Sequence, residues 1–215
     1  MKLSMPEELL LLMLDDERGV LREGAGLAGD YALSGALLAE LALAGRIDSD
    51  PAKVWVADPA PTGDELQDEV LARITADAFE HDTRYWIETL GTDADGFRDT
   101  LLKGLVVKGV LRAESGRFLW VFAERRYPAV SGKEEREVKA RILGVLFDDE
   151  IPDPRDSLLI GLCRAAGLFA LILAPAELER VQPRIEQVSN LEELNRSLTD
   201  AIREIYARIS RYAPI

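Results

Sequence analysis

For most of its length the chain repeats apolar residues at a helical period, broken at intervals by glycine, proline and short acidic stretches. Ser4-Met5-Pro6-Glu7 is a helix start, with Ser4 at the N-cap, Pro6 in the first turn and Glu7 in the capping-box position ahead of Leu9 to Leu14. Asp15, Asp16 and Gly19 end that helix. A second helix is predicted over 30–44, where Leu33, Leu37, Leu38, Leu41 and Leu43 make a wide apolar face and Gly45 supplies the stop. Lys53-Val54-Trp55-Val56 reads as a short strand. Thr62-Gly63-Asp64-Glu65 is a second capping box and opens a helix to about residue 76. Helices over 83–90 and 97–107 follow. Val110-Leu111-Arg112, a turn at Glu114-Ser115-Gly116 and a strand over 118–122 then read as a β-hairpin. Beyond Lys133 the pattern is helical throughout, over 133–147, 155–173, 176–188 and 191–209, punctuated by Pro152, Pro154, Pro175 and Asn190. The expectation is one mainly α domain over 1–215 with a projecting β-hairpin.

One unit occurs twice. Leu43-Ala44-Gly45-Arg46-Ile47 followed by Val54-Trp55-Val56 is echoed by Val107-Lys108-Gly109-Val110-Leu111 followed by Leu119-Trp120-Val121. A helix, a glycine and a hairpin recur, but not a third time, so the echo is supersecondary rather than a solenoid repeat.

Composition narrows the function classes. The net charge of −13 opposes any polyanion that would have to be gripped by the whole surface. The charge is uneven, however. Residues 103–141 hold ten Lys or Arg against five Glu, while the rest holds 16 bases and 34 acids. The basic stretch includes Arg112, Arg117, Arg125 and Arg126 beside Phe118, Trp120 and Phe122, a pattern suited to a membrane-facing edge. Strand aromatics at alternate positions also fill cores and subunit contacts, so both readings stand. With 20 Arg and 6 Lys the basic residues suggest a GC-rich, bacterial genome. A lone cysteine, Cys163, excludes an intramolecular disulfide and a cysteine metal cluster. No leader is apparent, and the longest apolar run, near 158–174 and interrupted by Arg164, is too short to span a bilayer well. A cytoplasmic protein, peripheral on the cytoplasmic face of a membrane, is expected.

Three blocks together resemble the Golgi phosphoprotein 3 family: Gly35-Ala36-Leu37-Leu38-Ala39-Glu40-Leu41-Ala42-Leu43-Ala44-Gly45-Arg46-Ile47, Ala60-Pro61-Thr62-Gly63-Asp64-Glu65-Leu66-Gln67-Asp68-Glu69, and Leu102-Lys103-Gly104-Leu105-Val106-Val107-Lys108-Gly109-Val110-Leu111. The opening Met5-Pro6-Glu7-Glu8-Leu9 run is similar to the family's first helix. The resemblance implies a compact helical fold, no catalysis and no cofactor, binding of phosphatidylinositol 4-phosphate on one flat face, and self-association through the hairpin. It implies a phosphate site made of a tryptophan, an arginine and two further arginines three apart. Those positions fall at Ala25, Ser34, Asp95 and Arg98, and only Arg98 matches. A phosphomonoester needs several convergent cationic donors, and Asp95 opposes one.

Other constellations are weak. His81 is the only histidine, which leaves no triad and no two-histidine metal site. Cys163 lies in an apolar helical run, as a packed thiol does. Asp148-Asp149-Glu150 with Asp153 and Asp156 lacks the ligand spacing of a calcium loop. Gly24, Gly26 and Gly29 follow no strong strand and no lysine closes them, so they read as loop. Three function classes remain: an anionic-lipid adaptor, a winged-helix-like nucleic-acid regulator built on the repeated helix–hairpin unit, and a ligand-free interaction scaffold. The acidity of the chain, and a 30–44 helix without Lys or Arg, favour the first over nucleic acid.

Overall fold

The computed structural model describes residues 2–115, 125–148, 150–191 and 193–210. Over these residues it holds ten α-helices and two short antiparallel hairpins, the mainly α architecture that the periodicity predicts. The order is α1 (Met5–Met13), α2 (Leu27–Leu43), β1 (Ile47–Ser49), β2 (Val54–Val56), α3 (Glu65–Ala76), α4 (Thr83–Gly91), α5 (Ala94–Val107), β3 (Glu114–Ser115), β4 (Arg125–Arg126), α6 (Lys133–Phe147), α7 (Pro154–Ala165), α8 (Phe169–Ile172), α9 (Pro175–Ser189) and α10 (Glu193–Ser210).

Helix α2 is the axis, with α1, α4, α7 and α10 packed around it. Its small residues set the spacing. A methyl group on Gly29 would stand 2.4 Å from the Met13 Cε of α1, and one on Gly35 would stand 2.8 Å from the Leu162 Cδ2 of α7. A side chain there would force the tips of Met13 and Leu162 to rearrange within the packed core. α7 and α10 meet in the same way. The fully buried Asn195 donates to the Ser157 carbonyl (2.7 Å) in the space that Gly161 leaves open.

Three helices end in the same device. At Gly45, Gly109 and Gly167 the backbone is left-handed (φ +66°, +73° and +70°). Each glycine N–H returns to the third residue before it, and the following N–H reaches one residue further back: Arg46 to Leu41, Val110 to Leu105, Leu168 to Cys163. This double closure satisfies the last carbonyls and turns the chain sharply. The first two cases each lead into a hairpin, so the helix–glycine part of the unit does recur, while Leu119-Trp120-Val121 of its second copy lie outside the described residues.

Four expectations change. Gly167 splits the single helix predicted over 155–173 into α7 and α8. α2 begins at Leu27, three residues early, so Gly29 is helical rather than loop. The N-cap of α3 is Asp64, which accepts the Gln67 N–H (3.0 Å), while Thr62 instead donates its hydroxyl to Asp68 (2.7 Å). Glu114 and Ser115 are not a turn, because they pair with Arg126 and Arg125 across the hairpin. The strand expected over 118–122 lies outside the described residues.

Helix α1 is buried over all nine residues, including two glutamates. Glu7 accepts the Ser4 N–H (2.8 Å) and pairs with Lys108 (2.6 Å). Glu8 pairs with Arg141 (3.1 Å) and Arg155 (3.3 Å), and Arg155 also reaches Glu40 (2.9 Å) and the Leu3 carbonyl (3.0 Å). Buried carboxylates survive only with such full pairing. Among the described residues no helix is long and apolar enough to cross a membrane.

Candidate membrane-facing site

The four positions that the family pattern points to do not form one exposed cluster. Ala25 and Ser34 are fully buried, and the Ser34 hydroxyl is turned onto its own helix, donating to the Asp30 carbonyl (3.2 Å). Neither offers a donor to a head group. Arg98, on α5, and Asp95, one turn before it, do meet: the guanidinium is held between Asp95 and Asp30. The side chain of Asp95 is 93% exposed, whereas that of Arg98 is 18% exposed. Burial pushes the Asp30 carboxyl above its ordinary value, the guanidinium of Arg98 pulls it back, and Asp95 raises it again. Sequence reasoning missed Asp30, which lies 68 residues from Arg98 and becomes its partner only through the packing of α5 on α2.

Arg98 also lines a slot of about 490 Å³ whose other walls are Leu14, Gly19, Val20, Leu21, Leu102 and Tyr127, with Asp99 next to Arg98 in the lining. Val20 and Leu21 belong to the turn after α1, and Tyr127 to the returning arm of the second hairpin. That turn and that arm are stitched together. The Tyr127 N–H donates to the Gly19 carbonyl (2.7 Å) and the Ala129 N–H to the Asp16 carbonyl (3.0 Å), while the Arg112 N–H reaches the Pro128 carbonyl (3.0 Å). Gly19 is required here, because a Cβ would fall 2.1 Å from the Pro128 nitrogen. The slot of Arg98 therefore opens at the root of the hairpin that carries Arg112 and Arg126, with exposed Arg18 beside Gly19.

The basic island divides. Lys108, Lys139 and Arg141 turn inward as counter-ions of the buried Glu7, Glu135 and Glu8, the Lys139–Glu135 pair at 2.5 Å. Lys103, Arg112, Arg126, Lys133 and Arg136 stay exposed. Arg112 is ion-paired to Glu114 at 2.9 Å, with its side chain 62% exposed. Arg117, Phe118 and Trp120 lie outside the described residues, as does the side chain of Arg125. The surface field of this stretch is thus weaker than its sequence balance of +5, because two of its cations, Lys108 and Arg141, neutralise the buried Glu7 and Glu8 of α1, which lie outside the stretch.

The root of the hairpin contains a carboxylate pair. Burial, and then the hydrogen bond to and charge of Glu135, raise Asp16 to about 7 against the pull of Lys139 and Arg22. Burial alone would raise Glu135 too, yet the hydrogen bond from Asp16, Lys139 and Arg22 hold it below its ordinary value.

The chain matches the Golgi phosphoprotein 3 (GPP34) family over residues 5–205. It belongs to that family. It is similar to the vacuolar protein sorting-associated protein 74 of Eremothecium gossypii, 33% identical over 168 residues, covering 67% of this chain and 49% of that protein. The protein of the same name from Schizosaccharomyces pombe is 31% identical over 166 residues, covering 67% and 48%. The chain spans about half the length of these relatives.

Within this Golgi phosphoprotein 3 fold the other candidate groups have structural partners. His81 stacks on Tyr85 (3.5 Å between centroids), and its carbonyl accepts the Val54 N–H (2.7 Å). Burial pushes the Cys163 thiol far up, away from any nucleophilic thiolate. Asp153 caps α7 through the Asp156 N–H (2.8 Å), and Asp156 pairs with Arg141 (3.1 Å).

Proposed function

We propose that this chain is a non-enzymatic peripheral adaptor that settles reversibly on anionic bilayers, with phosphatidylinositol 4-phosphate as its head-group ligand. One observation carries the reading: the slot of Arg98, apolar except for Arg98 itself and Asp99, opens at the root of the hairpin that bears the exposed Arg112 and Arg126. A phosphate exchanging for Asp95 on Arg98 would bring the basic hairpin to the surrounding lipid, where each cation near the surface contributes ~1 kcal/mol. Family membership and the sorting function in the names of the fungal relatives support the adaptor role. The hairpin also offers the surface for self-association. A nucleic-acid reader finds less support, because α2 is enclosed by four helices and has no face free to enter a groove.

The test is co-sedimentation with vesicles of graded anionic content, with and without phosphatidylinositol 4-phosphate. Arg112, Arg117, Arg125 and Arg126 changed together to Glu should abolish binding, and Arg98→Glu alone should weaken it a few-fold. If the quadruple variant sediments as the parent does, the hairpin plays no part and the scaffold reading takes over.

A further inference from the structure

A larger cavity, of about 800 Å³, shares no lining residue with the slot of Arg98. It lies where the start of α2 faces the corner between α7 and α8, with α9 and α10 along its sides. Its wall is polar on one part, with Gln182, Arg164, Glu186 and Arg203, and carries a strip of small apolar side chains, Ala165, Ala166 and Ala170, beside Leu27 and Leu171. The corner is concave because the chain reverses at the left-handed Gly167, so α8 folds back instead of prolonging α7 across the opening.

Two features separate this cavity from ordinary surface relief. Leu27 and Tyr206 stand 43% and 46% exposed at its edge, the only large apolar side chains of their helices to do so among the described residues apart from Leu43 at the other end of α2. The second feature is charge. On a chain of net charge −13, the ionic lining is Arg164, Arg203 and Glu186. Glu186 is already bridged to Arg164 (3.6 Å), and Arg203 forms no ion pair among the described residues. One uncompensated cation at the edge of an apolar wall is complementary to one negative charge on an apolar body.

We propose that this cavity is a binding site for a long-chain carboxylate, with Arg203 on the carboxylate and the Leu27–Leu171 wall along the hydrocarbon. The single surplus charge matches a monoanion better than a dianionic phosphate ester. Arg164 is already paired with Glu186 and so leaves Arg203 to meet the carboxylate.

Titration calorimetry with dodecanoate, below its micellar concentration at pH 8, tests the site on the full chain. Saturable binding of one equivalent is expected, weaker by tenfold or more in Arg203→Glu. Ala170→Trp, at an exposed position that adds bulk without altering charge, should abolish it. Decanol and decyltrimethylammonium should bind at least tenfold more weakly than decanoate. The quadruple hairpin variant should bind dodecanoate as the parent does, since it touches none of the lining. The site is lost if dodecanoate does not saturate the protein by millimolar concentration, if the uncharged alcohol binds as well as the acid, or if Arg203→Glu leaves the affinity unchanged.

Discussion

Arg155 and Arg98 use the same chemistry in two places and to different ends. Each guanidinium is mostly covered, at 13% and 18% exposure, and each bridges two carboxylates. The partners differ. Arg155 reaches Glu8 and Glu40, which are 5% and 18% exposed, and adds the Leu3 carbonyl. Arg98 reaches Asp30 at 20% and Asp95 at 93%. Water and salt compete for the second cluster and hardly reach the first. A guanidinium enclosed on all sides is a fastening, whereas one whose counter-ion hangs in solvent can exchange that partner for a ligand.

Breaking the enclosed cluster should have the largest effect. Arg155→Ala leaves Glu40 with no cation and only the Met5 N–H, leaves Glu8 dependent on Arg141 alone, and removes the donor to the Leu3 carbonyl. Removing one member of a buried ion cluster costs about 3–5 kcal/mol. Arg98→Ala should cost less, about 1–2 kcal/mol, because Asp95 already stands in solvent and only Asp30 is left without its cation. Chemical denaturation of the two variants tests the contrast, and equal losses would erase it.

The exposed cluster should be improvable. Asp95→Arg turns the opposing carboxylate into a second guanidinium one helical turn from Arg98, on a side chain already in solvent. The fold should be indifferent, and affinity for vesicles containing phosphatidylinositol 4-phosphate should rise about thirtyfold, in keeping with two units of charge near the surface at ~1 kcal/mol each. No gain would show that Asp30 alone keeps Arg98 from the head group, and that the slot does not admit a phosphate.

The difference between the two clusters also marks what the sequence could show. Local signals came through well. The Ser4–Glu7 capping box, the stops at Gly45 and Gly109 and the period of the apolar faces are all encoded within a few residues. Gly167 carries the same stop and was overlooked, because Leu168 to Leu173 continue the apolar pattern and hide it. Partnerships across the chain were not legible. Nothing near Arg98 announces Asp30, and nothing in the run from Lys103 to Arg141 tells which cations turn inward. Lys108 and Arg141 look like their neighbours Lys103 and Arg136 until α1 places Glu7 and Glu8 against them. Counting charges along a sequence therefore overstates the field at the surface when buried acids take a share of the bases. The slot itself was invisible for the same reason, since its walls come from three separate segments, 14–21, 98–102 and Tyr127.

Between the fastened and the exchangeable cluster lies the Asp16–Glu135 pair at the hairpin root, where the smallest effect is expected. Asp16 is raised from 3.8 to about 7, so the folded chain holds a proton there that the unfolded chain has released. Its stabilising contribution is complete below about pH 4 and is lost as pH rises through about 7. Glu135 is shifted the other way and contributes above its ordinary value, so it loses its share only on acidification. Between pH 6 and pH 8 the balance follows Asp16. Deprotonation sets two carboxylates together, with Lys139 and Arg22 facing them and Arg136 nearby across Gly132. Asp16 is partly open to solvent, so screening should keep the melting shift to about 2–4 °C between pH 6 and pH 8. Asp16→Asn keeps a hydrogen-bond donor to Glu135 at every pH. It should flatten the profile and melt above the parent at pH 8, with little difference at pH 5. A variant whose melting temperature falls from pH 6 to pH 8 as steeply as the parent's would mean that Lys139 and Arg22 already neutralise the pair, and that the root of the hairpin does not respond to pH.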